Sequence, residues 1–276
     1  MIYPYGENHG SHSKLVNLYN IILEYNHMST CLVFVCNNKY LSKFKNTLQL
    51  LRTNGQYEGD VLLIIGNDLK EQENELKKNY NIQVKYFPDI VFSDYFYKIN
   101  NNIRSDGRNK SKKFQWHKLH LFNTFLKKWD YIFYIDCGMR IHRPIQPMLD
   151  SKKEGKILAH NDAYPKLINK WRLSIQFDKT HTLFKELEKE YSLEISYFQT
   201  GVMLFDTSIV NENTFDDLLK LANKYPISRT NEQAIIALYY TNIDDKWEQI
   251  QIQDEEQYYY DCMRRGNNKP YIMHKM

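Results

Sequence analysis

"WDYIFYIDCGMRIHRPI", residues 129–145, is the stretch whose reading decides the fold. Its apolar run, YIFYI, shows no polar alternation, which suits a strand covered on both faces rather than one with a solvated side. The run stops on an acid, Asp136, followed by Cys137 and Gly138. An acid in that place either caps the next turn or offers an oxygen ligand to a hard cation such as Mg2+ or Mn2+. The residue types alone leave both open.

Similar runs recur on either side: CLVFVC (31–36), VLLIIG (61–66), IQVKYF (82–87), KILAH (156–160) and GVMLF (201–205). Between the first of them lie helix-like segments, YLSKFKNTLQLLRTNG (40–55), LKEQENELKKNY (69–80) and KKFQWHKLHLFNTFLKKW (112–129). Such alternation predicts an α/β chain with a Rossmann-like, mostly parallel central sheet flanked by helices. Ligands of these sheets bind outside the carboxyl ends of the strands. Asn37, Asn38, Tyr40 and Asp136 are therefore expected around one cleft. Residues 100–113, NNNIRSDGRNKSKK, read as a surface loop, and the neighbouring FSDYFYKI as a lid, an acceptor contact or a plain connection.

With 276 residues, 42% of them apolar, the chain can bury the core of one large domain. The 37 basic and 33 acidic residues leave a net charge of +4. That is too little to announce nucleic acid, though it helps to steer a small anion. Cys31, Cys36, Cys137 and Cys262 show neither a disulfide framework nor zinc spacing and are expected as packed thiols. No apolar run approaches the length of a membrane span, and the first residues lack an apolar signal core. A soluble, cytoplasmic protein is the expectation. Oligomeric state has no signature.

Three further features carry candidate chemistry. Phe114, Leu121, Phe122 and Phe125 fall on one helical face with Lys118 in its midst, so Lys118 either reaches a phosphate or snorkels to solvent. On the first reading, Lys118→Met is expected to weaken phosphate binding and leave the fold intact or slightly steadier. His117 and His120 are three residues apart but lack a further ligand motif. His274 and Lys275, in the terminal YIMHKM, offer an imidazole and an ammonium.

Read together, YFQTGVMLFDTSIVNENTFDDLLKLANKYPISRTNEQAIIALYY (197–240), HKLHLFNTFLKKWDYIFYIDCGMRI (117–141) and His274 resemble the glycosyltransferases of the GT-A fold, and among them the glycogenin-like family 8. The first is similar to that family's Phe-Asn-Ser/Thr-Gly-Val block and the Asp-Gln helix after it. The second is similar to its Lys-Leu-rich helix and the strand ending in Asp-x-Asp. Three positions depart from the pattern: Gly138 stands for the second acid, Gln199 for Asn and Glu232 for Asp. The Gly and Lys-Pro-Trp that follow the family's C-terminal His are absent.

The resemblance implies one GT-A domain over 1–276, with a nucleotide-binding half at about 1–160 and an acceptor and reaction-centre half at about 161–276. It implies transfer from a nucleotide-sugar donor, a UDP-sugar, to a glycan, protein or small-molecule acceptor, with retention of configuration. Val35, Asn37 and Tyr40 are then expected at base and ribose, and Lys118, Cys137, Gly138 and Lys275 at the diphosphate. Asp136 and His274 are expected to ligate Mn2+ or Mg2+ in a shell thinned by Gly138. Gln199, Glu232 and Gln233 are expected at the reaction centre. A lapsed GT-A binding or scaffold protein is the competing reading. A nucleotidyltransferase on a similar sheet would want a Gly-rich loop after the first strand, and NNKYLSKF has none.

Overall fold

The computed structural model describes residues 28–163, 167, 170–250, 258–261 and 271–275, with the side chains of 258–261 and Lys275 outside that set. The first residues and Cys262, both read above, lie outside the described residues. β1 (Thr30–Cys36), α1 (Leu41–Thr53), β2 (Asp60–Ile65), α2 (Glu73–Tyr80) and β3 (Gln83–Tyr86) alternate as the sequence pattern predicts. α3 (Asp94–Asn100), α4 (Arg108–Ser111) and two 3-10 stretches, Lys113–Phe122 and Thr124–Lys128, lead into β4 (Tyr131–Ile135). β5 (Met139–Ile141), α5 (Gln146–Leu149), β6 (Ile157–Asn161), α6 (Leu183–Glu190) and β7 (Phe198–Asp206) follow. α7 (Thr214–Lys224), α8 (Glu232–Leu238), β8 (Trp247–Gln249), β9 (Tyr258–Asp261) and β10 (Tyr271–Lys275) complete the order.

The main sheet runs β3-β2-β1-β4-β7-β6-β8, and a small second sheet runs β5-β10-β9. β1 is parallel to both β2 and β4, whereas β7 runs antiparallel to β4 and β6. This is the expected α/β architecture, a mostly parallel sheet flanked by helices.

Side-chain alternation along the strands builds two cores. Cys31, Val33 and Val35 of β1, with Ile132 and Tyr134 of β4, join the apolar cluster that includes Trp116, Leu119 and the α8 residues. Leu32, Phe34 and Cys36, with Phe133 and Ile135, join the other, which holds Phe44, Leu48 and Leu51 of α1. Every residue of β4 is buried, and full burial of each large apolar side chain contributes about 1.5–3 kcal/mol. Parity thereby aims residue 136 at the Lys118 side of the sheet and residue 137 at the α1 side.

α1 forms because Phe44, Thr47, Leu48 and Leu51, its buried residues, recur at helical spacing. Thr47 is fully buried and works as a clasp. Its hydroxyl accepts from the Gly138 amide at 3.0 Å and donates to the Met139 carbonyl at 3.0 Å. Asn54, at the helix end, donates to the Ile141 carbonyl at 2.9 Å. The turn after β4 is thus fastened along the length of one helix.

One expectation needs correction. Residues 112–129 are not one amphipathic α-helix but two 3-10 stretches broken at Asn123, whose backbone is extended and whose side chain accepts from the Phe125 amide. Residues 116–122 are all buried, so there is no solvent face for an amphipathic stripe to oppose. Residues 100–113 do run over the surface, as expected, and two buried asparagines pin them there. The buried Asn109 donates to the Ser228 carbonyl at 2.7 Å, and Asn100 to the Pro226 and Ser228 carbonyls at 3.3 Å. FSDYFYKI supplies α3, with Ser93 capping the Phe96 amide at 3.1 Å. Among the described residues no helix is long and apolar enough to cross a membrane.

Candidate active site

β1 and β4 lie side by side with Val33 opposite Tyr134, so their carboxyl ends emerge together. There a cleft of about 240 Å³ opens. Val35, Asn37, Tyr40, Lys118, Asp136, Cys137 and Gly138, seven of the residues singled out from the sequence, all line it. Lys39, Lys43 and Lys112 add cationic side chains to its wall.

An ionic cluster carries the cleft's floor. The Lys118 ammonium is 2.9 Å from an Asp136 carboxylate oxygen and 2.9 Å from a Glu232 oxygen. Lys118 is only 6% exposed and Glu232 only 2%. Lys118 therefore does not snorkel to solvent. Ions so deeply placed persist only when paired and hydrogen-bonded, and the neighbours comply. Tyr134 donates its hydroxyl to Asp136 at 2.6 Å, and Thr200 donates to Glu232 at 3.3 Å. Burial by itself favours the neutral amine, but the Asp136 and Glu232 carboxylates outweigh it and raise the Lys118 pKa. Burial likewise raises the Glu232 pKa, against the pull of Lys118. Burial, then Asp136, push the Tyr134 hydroxyl well above its ordinary range, which keeps it a donor. The second Glu232 oxygen has no hydrogen-bond partner.

The reaction-centre candidates meet the same cluster. Gln199 is buried on β7 beside Thr200. Gln233 accepts from the Thr200 amide at 3.3 Å and donates to Gln176 at 3.0 Å, and Thr230 donates to the same Gln176 oxygen at 2.6 Å. Asn231, immediately before Glu232, holds a positive φ of 54°, uncommon outside glycine and often found where a site fixes its backbone. Its amide nitrogen donates to Gln115, a cleft residue, at 2.7 Å. Sequence reasoning overlooked Thr200, Tyr134 and Gln176. Tyr134 could have been found from strand parity with Asp136, and Thr200 from its place inside the 197–240 block. Gln176 has no local signal.

Asp136 is engaged by Lys118 and Tyr134, and Gly138 offers no side chain. His274 is held by His142, their ring nitrogens 2.9 Å apart. Among the described residues no three His, Cys, Asp or Glu side chains gather as a metal site. Among the described residues, Asp136 is thus engaged with Lys118 and Tyr134 rather than gathered with other donors around a divalent cation. Lys275 stands opposite Met139 in the β5–β10 pairing, and its side chain lies outside the described residues. His117 and His120 are aromatic packing rather than ligands: His120 stacks between Phe87, at 4.2 Å, and Phe215, at 4.8 Å. Burial, with His117 adding to it, pushes the His120 pKa down to about 3.

No protein-family model and no curated protein matches the sequence. Among solved structures, the galactosyltransferase LgtC in complex with donor and acceptor sugar analogues is similar with a TM-score of 0.54. The match has 12% identity and covers 89% of this chain and 86% of that one. An active-site mutant of LgtC gives 0.55 at the same identity and coverage. Mouse xyloside xylosyltransferase 1 in its apo form matches at 0.47 and 11% identity, over 90% and 97% of the two chains. At such identity the LgtC likeness speaks for architecture, and the glycogenin-like subdivision rests on the sequence motifs alone. Strand order, helical flanks and the likeness to LgtC agree that the chain has the GT-A glycosyltransferase fold.

Proposed function

We propose that the protein transfers a sugar from a nucleotide-sugar donor, a UDP-sugar, to a glycan, protein or small-molecule acceptor, with retention of configuration. The observation that carries this reading is the buried Lys118 ammonium held by Asp136 and Glu232 at the floor of a lysine-rimmed cleft. Base and ribose would lie against Val35, Asn37 and Tyr40, and the diphosphate against the lysines. On this reading about 1–160 forms the nucleotide half, and Gln199, Glu232 and Gln233 supply the reaction centre from the remainder.

Catalysis then consists chiefly of positioning and of meeting the charge that develops on the leaving diphosphate. The buried, held Lys118 ammonium can do this without reorganising at the moment of bond cleavage, and the exposed Lys39 and Lys43 add charge at the rim. The acceptor hydroxyl attacks the anomeric carbon from the face that the diphosphate leaves, and its proton passes to the departing phosphate oxygen. The unpartnered oxygen of Glu232 favours a second route, in which that carboxylate assists as base or nucleophile. Burial raises its pKa against the pull of Lys118, the direction that makes a carboxylate a stronger base.

Thermal shift with UDP, GDP and TDP tests the donor site, because a ligand bound only by the folded state raises the melting temperature as its concentration rises. UDP is expected to give the largest rise. No shift with any of the three at millimolar ligand rejects the reading. Binding without hydrolysis or transfer of any UDP-sugar identifies the lapsed, scaffold alternative instead.

A further inference from the structure

The turn after β4 carries a glycine, Gly138, with a lysine stem lying against it. Gly138 has a φ of +98°, a conformation that side-chain-bearing residues rarely adopt. The space beside it is also occupied. A Cβ on Gly138 would lie 3.3 Å from Lys43 Cδ, with Lys43 Cβ at 4.0 Å. Lys43 owes that position to Thr47, one helical turn further along α1 and clasped to the Gly138 amide. Residues four apart share a helix face, so the clasp lays the Lys43 stem across the glycine. Its ammonium lies 5.5 Å from the Tyr40 ring centroid, among the residues that line the cleft.

The charges follow the same direction. Lys118 already answers two carboxylates, so it alone leaves little positive charge for an anionic ligand. Lys43 makes no ion pair among the described residues, and Lys39 stands beside it on the cleft wall. A diphosphate entering here meets ammonium groups where a metal-dependent site would hold a second carboxylate. A lysine binds phosphate as a compact point charge and needs no bridging ion.

Resting on the donor-site reading above, we propose that Lys43, together with Lys118, neutralises the donor diphosphate in place of a divalent cation, so that nucleotide binding is metal-independent. Calorimetric titration of UDP into the full chain, in EDTA and then in Mn2+, tests this together with Lys43→Met and Lys43→Arg. Lys43 is exposed, so both variants should fold. The affinity is expected to agree within about twofold between the two buffers. Lys43→Met should weaken UDP in EDTA by about tenfold or more, as the loss of one charge-assisted contact implies, and Lys43→Arg should recover much of it. Binding that requires Mn2+, or an unchanged affinity in Lys43→Met, overturns the proposal and leaves the donor site standing. If neither UDP, GDP nor TDP binds the folded protein in either buffer, the donor site itself falls, and this proposal with it.

Discussion

Replacing Lys118 by Met removes the ammonium that lies 2.9 Å from both Asp136 and Glu232, and leaves two carboxylates facing each other under cover. Breaking a buried ion pair in this way costs about 3–5 kcal/mol. Urea unfolding of Lys118→Met should therefore show a loss of that order, and Lys118→Met/Glu232→Gln should regain part of it by removing one of the orphaned charges. Equal midpoints for wild type and Lys118→Met would mean that the cluster contributes nothing to the fold. The sequence-based expectation of an intact or steadier fold is thereby revised. Periodicity displayed the apolar neighbours of Lys118 on its own segment, but not the carboxylates that β4 and α8 bring to it. The convergence of candidate residues was legible where parity or a motif aimed them, as at Asp136 and Glu232, which meet at Lys118. Residues were illegible where they act through tertiary contact, as at Gln176 and Lys43.

The segment Lys113–Phe122 shows why short elements resist reading from sequence. Its apolar residues match an α-helical stripe, yet residues 116–122 are buried on all sides, and packing against α7 and α8 sets its conformation. Long apolar strands, by contrast, were legible because β1, β2 and β4 need no partner pattern beyond burial. His120 ties this segment to its neighbours through the stack with Phe87 and Phe215. Its pKa falls to about 3 in the folded protein, against about 6.5 in an unfolded chain. The unfolded state therefore takes up the proton first as the solution is acidified. The contribution is intact above about pH 6.5 and is lost progressively toward pH 3, amounting to about 2 kcal/mol between pH 7 and pH 5. His117, whose pKa burial also lowers, adds in the same direction. His120→Phe, which keeps a ring in the stack, should reduce the difference in urea midpoint between pH 7 and pH 5. An unchanged difference would locate the acid sensitivity elsewhere.

At the scale of the whole molecule, the site is made from both cores of one sheet. Asp136 faces the cluster that holds Trp116 and α8, while Gly138 and its clasp face α1. The contacts that close it join distant parts of the chain: Gly138 and Thr47 are 91 residues apart, and Lys118 and Thr200 are 82 apart. Contacts of such span form late, because a long loop must be closed before they repay its entropy. Trp116, packed edge-on against Phe92 and Phe96 at 5.1 and 5.2 Å, reports a nearer assembly. During refolding from urea of a variant that keeps Trp116 as its sole tryptophan, with the other three replaced by Phe, UDP binding should return no earlier than the Trp116 signal, and recovery of binding ahead of it would contradict this order. The Thr47 clasp thus has a temporal meaning. A chain still being synthesised carries Thr47 and Gly138 long before Glu232 of α8, so the clasped turn can form early while the Lys118–Glu232 pair, and on the proposed reading the donor cleft, waits for the last third of the polypeptide.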